Sequence, residues 1–584
     1  VASEPASSEI AKGPSQVSPA VRRLRDALAP LIADAQQRFG IPALSLVLVR
    51  GEKVLWAEGF GLADPERNVP ATPYTRYRAG SLAKPLTALA VLGLAAQGAL
   101  DIDQPLSAAL PGFRLRKHFD SASRLTVRSV LSHHAGLPSD LNQGLWSDAP
   151  FTNLRDRLRD EYAAYPPNLV FSYSNVGYSL LGHLIQVVSG KPYAVYMAEQ
   201  LLTPLGMRAS SLAARAQRQA SSDGTGVLAV GHRAGQRFTP LPMRDVPAQG
   251  LITSAADLGR LMSALLCGGA LNGRQLLEPS VIEAAFEPQN TDVALDMDVI
   301  TGLGVFLEDG SIPGADRVVR HGGNTLGYTA EMVLVPEHGL GLAVLASTAE
   351  AGGVLKQLAR SVLSQTLMAM PEPLPADVFI AATAASADAG RPMDPAGRYA
   401  TDLGLISIDL EQDQVCACMT GERAKLIPYP DGSLGLDAGR NGGASPTLRR
   451  LAKLRLHTRR IGERAVIVAQ TGRGEAVLGE KVPPEAPPPS WLRRLGRWRV
   501  LNPDPGFPIE DLTLKLTAGQ LCMSYRMPVL TPERIQVPVR ATSDDTGIVL
   551  GLGRGRGDTL RIVEDNGKAR LRWSGYVAEP MEAP

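Results

Sequence analysis

At 584 residues, 44% hydrophobic and 20% charged, the chain is too long for one hydrophobic core and ordinary in globular composition, so about two to four domains are expected. A net charge of +2 excludes a general draw toward nucleic acid or an anionic membrane surface, and no apolar run approaches the roughly 18 charge-free residues of a membrane span. Four cysteines without a Cys-x-x-Cys pair describe neither a disulfide scaffold nor a zinc site, and all four are read as free thiols.

The first residues, VASEPASSEIAKGPSQVSPA, are rich in Ser, Ala and Pro, and residues 1–21 read as a flexible tether. Such a start looks like the mature end of an exported bacterial protein, so a periplasmic or secreted location is expected. From 22 to 370 helical and strand-like segments alternate. Residues 43–64 read as a hairpin around Arg50-Gly51-Glu52-Lys53, 330–347 as two more strands, and 351–370 as a closing helix. Strands at both ends with helices between them predict one α+β domain whose sheet is completed by its two termini.

Within that domain the run Leu82–Gln97 is apolar on nearly every face, which predicts a buried helix that stops at Gly98, with Pro85 tolerated in its first turn. Ser81 stands at the mouth of this helix. Lys84 lies three residues on, hence on the same face, and burial disfavours its charged form. A serine nucleophile beside a lysine base is the chemistry this spacing suggests. Tyr173-Ser174-Asn175 precedes a second apolar helix; a phenol near a lysine has its phenolate favoured and then works as base or acid. Asn175 reads equally as a helix cap. His321-Gly322-Gly323 ends a short apolar run. The two glycines would let a substrate lie against an edge strand, and the N–H of Asn324 would pair with that of Ser81 as an oxyanion hole. His133-His134 has no third ligand in sight and is read as structural.

Beyond 370 the texture changes. A Pro/Ala-rich linker over 371–395 and a stiffer one over 481–490 each precede short alternating strands. ISIDLEQDQVCACM (406–419) lies over LTLKLTAGQLCMSY (512–525) without gaps at a shift of 106 residues, with Gln414 on Gln520 and Cys416 on Cys522. Two duplicated β-barrels of about ninety residues are expected, over 396–480 and 491–584. The glycine-rich GLGRGRGDT (551–559) is read as an ordinary hairpin tip or, alternatively, as a loop that reaches the active site. The arginines of 447–464 alternate with apolar residues as a solvated strand face.

Taken together, Ser81-x-x-Lys84, Tyr173-x-Asn175 and His321-Gly322-Gly323, in this order, resemble the three active-site motifs of the penicillin-recognising serine hydrolases, specifically the class C β-lactamase-like group. LTVRSVLSHHAGLPS (125–139), LLTPLGM (201–207) and GLITSAADLGRLM (250–262) resemble its spacers. The likeness covers 22–370 and implies a β-lactamase/transpeptidase-like fold: an antiparallel sheet flanked by helices. By that resemblance Ser81 is acylated, Lys84 and Tyr173 share its proton relay, and Asn175 holds a substrate carbonyl or amide.

His321 stands where true β-lactamases carry the lysine of Lys-Thr-Gly, as in the group's D-aminopeptidases, D-alanyl peptidases and esterases (peptidase family S12). The layout with two trailing barrels is similar to that of its D-aminopeptidases, in which a barrel loop narrows the active site. A peptidase or amidase acting on small or D-residue-containing peptides or amides is therefore expected. Alternatives are a carboxylic-ester hydrolase, a β-lactamase, or an inert binding homologue. No metal or organic cofactor is implied.

Overall fold

The computed structural model describes residues 19–215, 226–369, 391–392, 394–411, 414–419, 422–437, 445–471, 474–483 and 485–581. The tether expected over 1–21 therefore lies outside the described residues up to 18, and the first helix, Pro19–Phe39, starts inside it.

Alternating apolar strands build an eight-stranded antiparallel sheet in the first domain. Its order is Ile300–Thr301, Phe306–Asp309, Arg317–Thr325, Tyr328–Val335, Leu340–Ala346, Ala43–Arg50, Lys53–Asp64, Val69–Pro70. The strand from the domain's beginning and the one from its end pair from Leu44↔Ala346 to Arg50↔Leu340, so the two termini do complete the sheet. Tyr328–Val335 and Leu340–Ala346 are buried along their whole length, as strands covered on both faces must be. The period of two sends Leu44, Leu46, Leu342 and Val344 to one face, beneath helices Pro19–Phe39 and Gly352–Ala369. Val47, Val49, Ala343 and Leu345 go to the other, beneath Ala255–Leu266 and the helical half of the domain.

In that half lies helix Ala83–Ala96, every residue of which from 83 to 92 is buried. Its lack of a polar face follows from its position among other helices. Strand Arg76–Gly80 leads into it, and helix Asn175–Ser189 packs beside it.

Two closed barrels follow, each of eight antiparallel strands. The first runs from Gly397–Thr401 to Gly474–Val482 and the second from Gly496–Val500 to Tyr576–Pro580. The stretches that match in sequence occupy equivalent places: Gly404–Glu411 and Gln414–Met419 are the second and third strands of one barrel, Glu510–Thr517 and Gln520–Met527 those of the other. Arg391–Pro392 pairs with Arg460 and Arg459 of the first barrel, so pairing begins inside the segment read as a linker; 370–390 lie outside the described residues. Cys267, Cys416, Cys418 and Cys522 are free.

Candidate active site

Two glycines let strand Arg76–Gly80 and strand Arg317–Thr325 touch. Gly80 has φ +55°, and a Cβ on it would lie 2.9 Å from the Asn324 carbonyl oxygen and 3.1 Å from its nitrogen. A Cβ on Gly323 would lie 1.8 Å from the Ala79 carbonyl oxygen and 3.4 Å from the Ser81 nitrogen. Any larger residue would drive the strands apart. Their contact brings the backbone of Ser81 against that of Asn324, the juxtaposition a two-amide oxyanion hole requires.

Ser81 begins the buried helix, and one turn on the fully buried Lys84 Nζ lies 3.2 Å from Ser81 Oγ. It also lies 2.7 Å from Asn175 Oδ1 and 2.9 Å from the Ala248 carbonyl oxygen. Burial, and next the nearby Arg554 cation, hold the Lys84 amine well below the usual lysine range, against the pull of Asp140 and Asp245. A neutral amine has two N–H donors and one lone pair. With Asn175 Oδ1 and the Ala248 carbonyl each accepting one N–H group, the third position on Nζ faces Ser81 Oγ, where the neutral amine would present its lone pair.

The orientation of Asn175 is set from behind. Its Nδ2 donates to Asp140 Oδ1 at 2.6 Å, and a carboxylate only accepts, so Oδ1 must face Lys84. Ser174, not Asn175, caps the helix: its Oγ accepts from the Gly177 N–H at 2.9 Å, leaving the Asn175 side chain to the site.

Tyr173 leans over the same ammonium position, its ring centroid 4.6 Å from Lys84 Nζ and 5.2 Å from the Arg554 guanidinium carbon. Burial opposes the phenolate expected from sequence. Burial pushes the Tyr173 hydroxyl up to about 12, outweighing the Ser81 side chain and Arg554, which both work the other way. Burial thus works in opposite directions on the two groups, favouring the protonated phenol of Tyr173 and the neutral amine of Lys84.

His133 and His134 position this segment. His133 lies 4.3 Å ring to ring from Tyr173 and its Nδ1 accepts from the Ser174 N–H at 3.1 Å, while burial keeps the imidazole neutral. His134 Nε2 meets Asp296 Oδ2 at 2.6 Å, and Asp296 Oδ1 accepts the Phe171 N–H at 2.5 Å.

His321 is also neutral: burial, and then Lys84, push it down to about 3, and its Nδ1 donates to the Gly322 carbonyl at 2.7 Å. The position thus carries no fixed positive charge.

The glycine-rich segment 551–559 is not a free hairpin tip. It crosses into the first domain, where Tyr165 donates to the Gly551 carbonyl at 3.0 Å and the Gly555 N–H donates to Ser139 Oγ at 2.9 Å. At its apex Arg554 Nη2 donates to Asp140 Oδ2 at 2.9 Å. Burial alone would raise the Asp140 carboxyl, yet Arg554, Asn175 and Lys84 together hold it below the usual range. Asp140 and Arg554 are the site residues sequence reasoning missed. Asp140 follows directly on the matched spacer 125–139, and Arg554 lay within the loop singled out.

Ser81, Tyr173, Asn175, His321 and Arg554 line one cleft of about 1100 Å³. No helix among the described residues is long and apolar enough to cross a membrane.

Comparison with known proteins agrees with this architecture. Residues 28–366 match the family model described as Beta-lactamase. "Protein flp" of Staphylococcus aureus (strain N315) is 30% identical over 229 residues, which is 38% of this chain and 45% of that protein; the match thus spans less than half of the relative. Among solved structures, SurE with D-Leu is 22% identical at a TM-score of 0.55, covering 78% of this chain and all of that one. The octameric penicillin-binding protein homologue from Pyrococcus abyssi is 22% identical at a TM-score of 0.50, covering 77% of this chain and 99% of that one. Such likenesses show the fold, and with the family match over more than half its length the chain belongs to the β-lactamase family.

Proposed function

We propose that the protein is a serine hydrolase that forms an acyl-enzyme on Ser81 and acts on small peptides or amides, including those with D-residues. The observation that carries this reading is the buried Lys84 Nζ, 3.2 Å from Ser81 Oγ and held by the acceptors Asn175 Oδ1 and the Ala248 carbonyl so that its remaining position faces the serine hydroxyl.

As Ser81 Oγ attacks the substrate carbonyl, its proton passes to Lys84 Nζ and the carbonyl oxygen gains charge opposite the N–H groups of Ser81 and Asn324. Tyr173, still protonated, gives its proton to the leaving nitrogen and recovers one from Lys84. The carbon–nitrogen bond breaks and the acyl group stays on Ser81. Water then attacks that ester, losing a proton through the same relay, and Ser81 leaves with it. Ser81, Lys84 and Tyr173 pass the protons among themselves, the leaving nitrogen and the attacking water.

One observation favours an amide of peptide type over a simple ester. Strand Phe306–Asp309 pairs with Arg317–Thr325 only as far as Phe306↔Arg320, so on that side the backbone from His321 onward borders the cleft unpaired. Such an edge accepts the backbone of an extended peptide. The neutral His321, where a lysine would bind a carboxylate, favours substrates other than β-lactams. SurE, which shares the fold, has been solved with D-Leu. An extracytoplasmic location fits an enzyme of this kind.

The test is a panel of D- and L-aminoacyl p-nitroanilides, D-alanyl dipeptides, short-chain esters and a penicillin. Turnover of D-residue amides that vanishes in Ser81→Ala supports the proposal. Turnover of esters alone would move the reading to an esterase.

A further inference from the structure

A second cavity of about 550 Å³ lies beyond Arg554 and shares Val299, Thr471, Ala476 and Arg554 with the walls of the main cleft. Three parts of the chain enclose it. The first domain supplies Val170, Phe171, Leu295, Asp296 and Val299, the glycine-rich loop supplies Leu552, Gly553 and Arg554, and the first barrel supplies the rest.

The barrel residues have one thing in common. In an up-and-down barrel the connections after the odd-numbered strands lie at one end. Leu403 sits after the first strand, Leu454 between the fifth and sixth, and Thr471 and Ala476 flank the seventh-to-eighth connection. The cavity is thus the mouth of the first barrel. The lumen below is filled by Ile406, Ile408, Leu426, Leu456 and Ile467, so the mouth is a shallow apolar chamber rather than a channel.

Its walls are pinned. Glu475 N–H donates to Asp298 Oδ2 at 2.6 Å, and Asp298 N–H donates to the Glu475 carbonyl at 3.1 Å. Arg556 donates to the carbonyls of Thr401 and Asp402 at 3.1 and 3.0 Å. These bonds hold the described walls in place without a ligand, and a preformed apolar space costs a ligand little ordering.

We infer that the mouth of the first barrel is a subsite of the cleft and takes an apolar group of the substrate, an alkyl chain or a large hydrophobic side chain. Continuity with the cleft identifies the occupant, since Arg554 lines both spaces and touches the Tyr173 ring from the main one. Lys453, exposed at the rim, leaves the outer end polar. This inference deepens the proposed hydrolase and rests on it.

The test compares n-propyl- and n-octylboronic acid binding to the full chain by calorimetry. The boron accepts the Ser81 Oγ electron pair while the hydroxyl proton moves to Lys84. A single alkyl substituent then finds whichever subsite is apolar. The octyl compound is expected to bind at least roughly ten-fold more tightly, from burial of its added methylenes. Leu403→Trp, which fills the chamber, and Leu454→Gln, which makes it polar, should each remove that ratio and leave propyl affinity unchanged. Equal affinities in the parent, or a ratio that survives in both variants, would overturn the subsite. If neither compound binds, the Ser81 reading falls instead. Octanoate binding to Ser81→Ala, present and lost in Leu403→Trp, then upholds the chamber on its own, and its absence sinks it.

Discussion

Asp140 of the first domain and Arg554 of the second barrel, 414 residues apart in the chain, meet at 2.9 Å behind the lysine that faces Ser81. The pair fixes Asn175, Asn175 fixes Lys84, and so a loop from the far end of the chain orients the base.

Breaking that link should damage turnover more than binding. In Asp140→Leu nothing holds the Asn175 amide, whose nitrogen can then turn toward Lys84 and displace the amine from its lone-pair geometry. A loss of about ten- to hundred-fold in kcat with a smaller change in KM is expected, because misorientation of this order costs that much. Asp140→Asn, able to accept through its amide oxygen, should retain more activity than Asp140→Leu.

The pH profile follows from the two directions of shift. Acylation needs neutral Lys84, whose titration is lowered, and protonated Tyr173, whose titration is raised to about 12. The kcat/KM should rise with pH through the lysine's lowered range and level off above it. Burial is the larger cause of the lysine shift and Arg554 the next. Arg554→Ala removes the cation, leaves the Asp140 charge and admits water. All three changes move the acid limb to higher pH, and a limb that stays put contradicts this electrostatic account.

Tyr173→Phe keeps the ring against His133 but loses the proton carried to the leaving group. Amide turnover should fall by roughly 100- to 10 000-fold. Activated p-nitrophenyl esters, whose leaving group needs no proton, should lose far less.

The loop's docking carries its own pH dependence. Asp558, 9% exposed, is pushed up to about 7 by burial and by Glu161 and Asp140, with Arg556 opposing. A carboxyl raised in the folded state contributes stability that is complete below its unfolded value and is lost as pH rises through the folded one. Asp558→Asn should therefore raise the melting temperature relative to the parent at pH 8 and lose that advantage near pH 4; thermal scans at the two values check it.

Gly323→Ala would place a methyl on the Ala79 carbonyl, a backbone atom that cannot swing aside. A stability loss of about 1–3 kcal/mol is expected, together with lost turnover as the Ser81 and Asn324 amides separate.

Much of this was legible in the sequence. Period-two runs identified the strands of the central sheet, and the apolar run after Ser81 identified the helix that buries Lys84. Three motifs far apart in the chain named Ser81, Tyr173, Asn175 and His321, which the fold brings to one cleft, and Lys84, which touches Ser81 and Asn175. What stayed hidden was of two kinds. Tyr173 read as a phenolate because a lysine was near, but whether burial or a cation wins depends on the surrounding packing, which no local spacing encodes. Asp140 and Arg554 carry meaning only as a pair, and their contact is created by how the second barrel docks. The glycines of 551–559 mark a tight turn equally well at a free tip or in a site.

The most direct measurement is fluorophosphonate labelling followed by intact mass and peptide mapping, with the parent beside Lys84→Met at matched thermal stability. A single adduct on Ser81, formed at least roughly 100-fold more slowly in Lys84→Met, is the predicted result. An adduct on another serine, or labelling at the parent rate without the lysine amine, would contradict Lys84 as the base for Ser81.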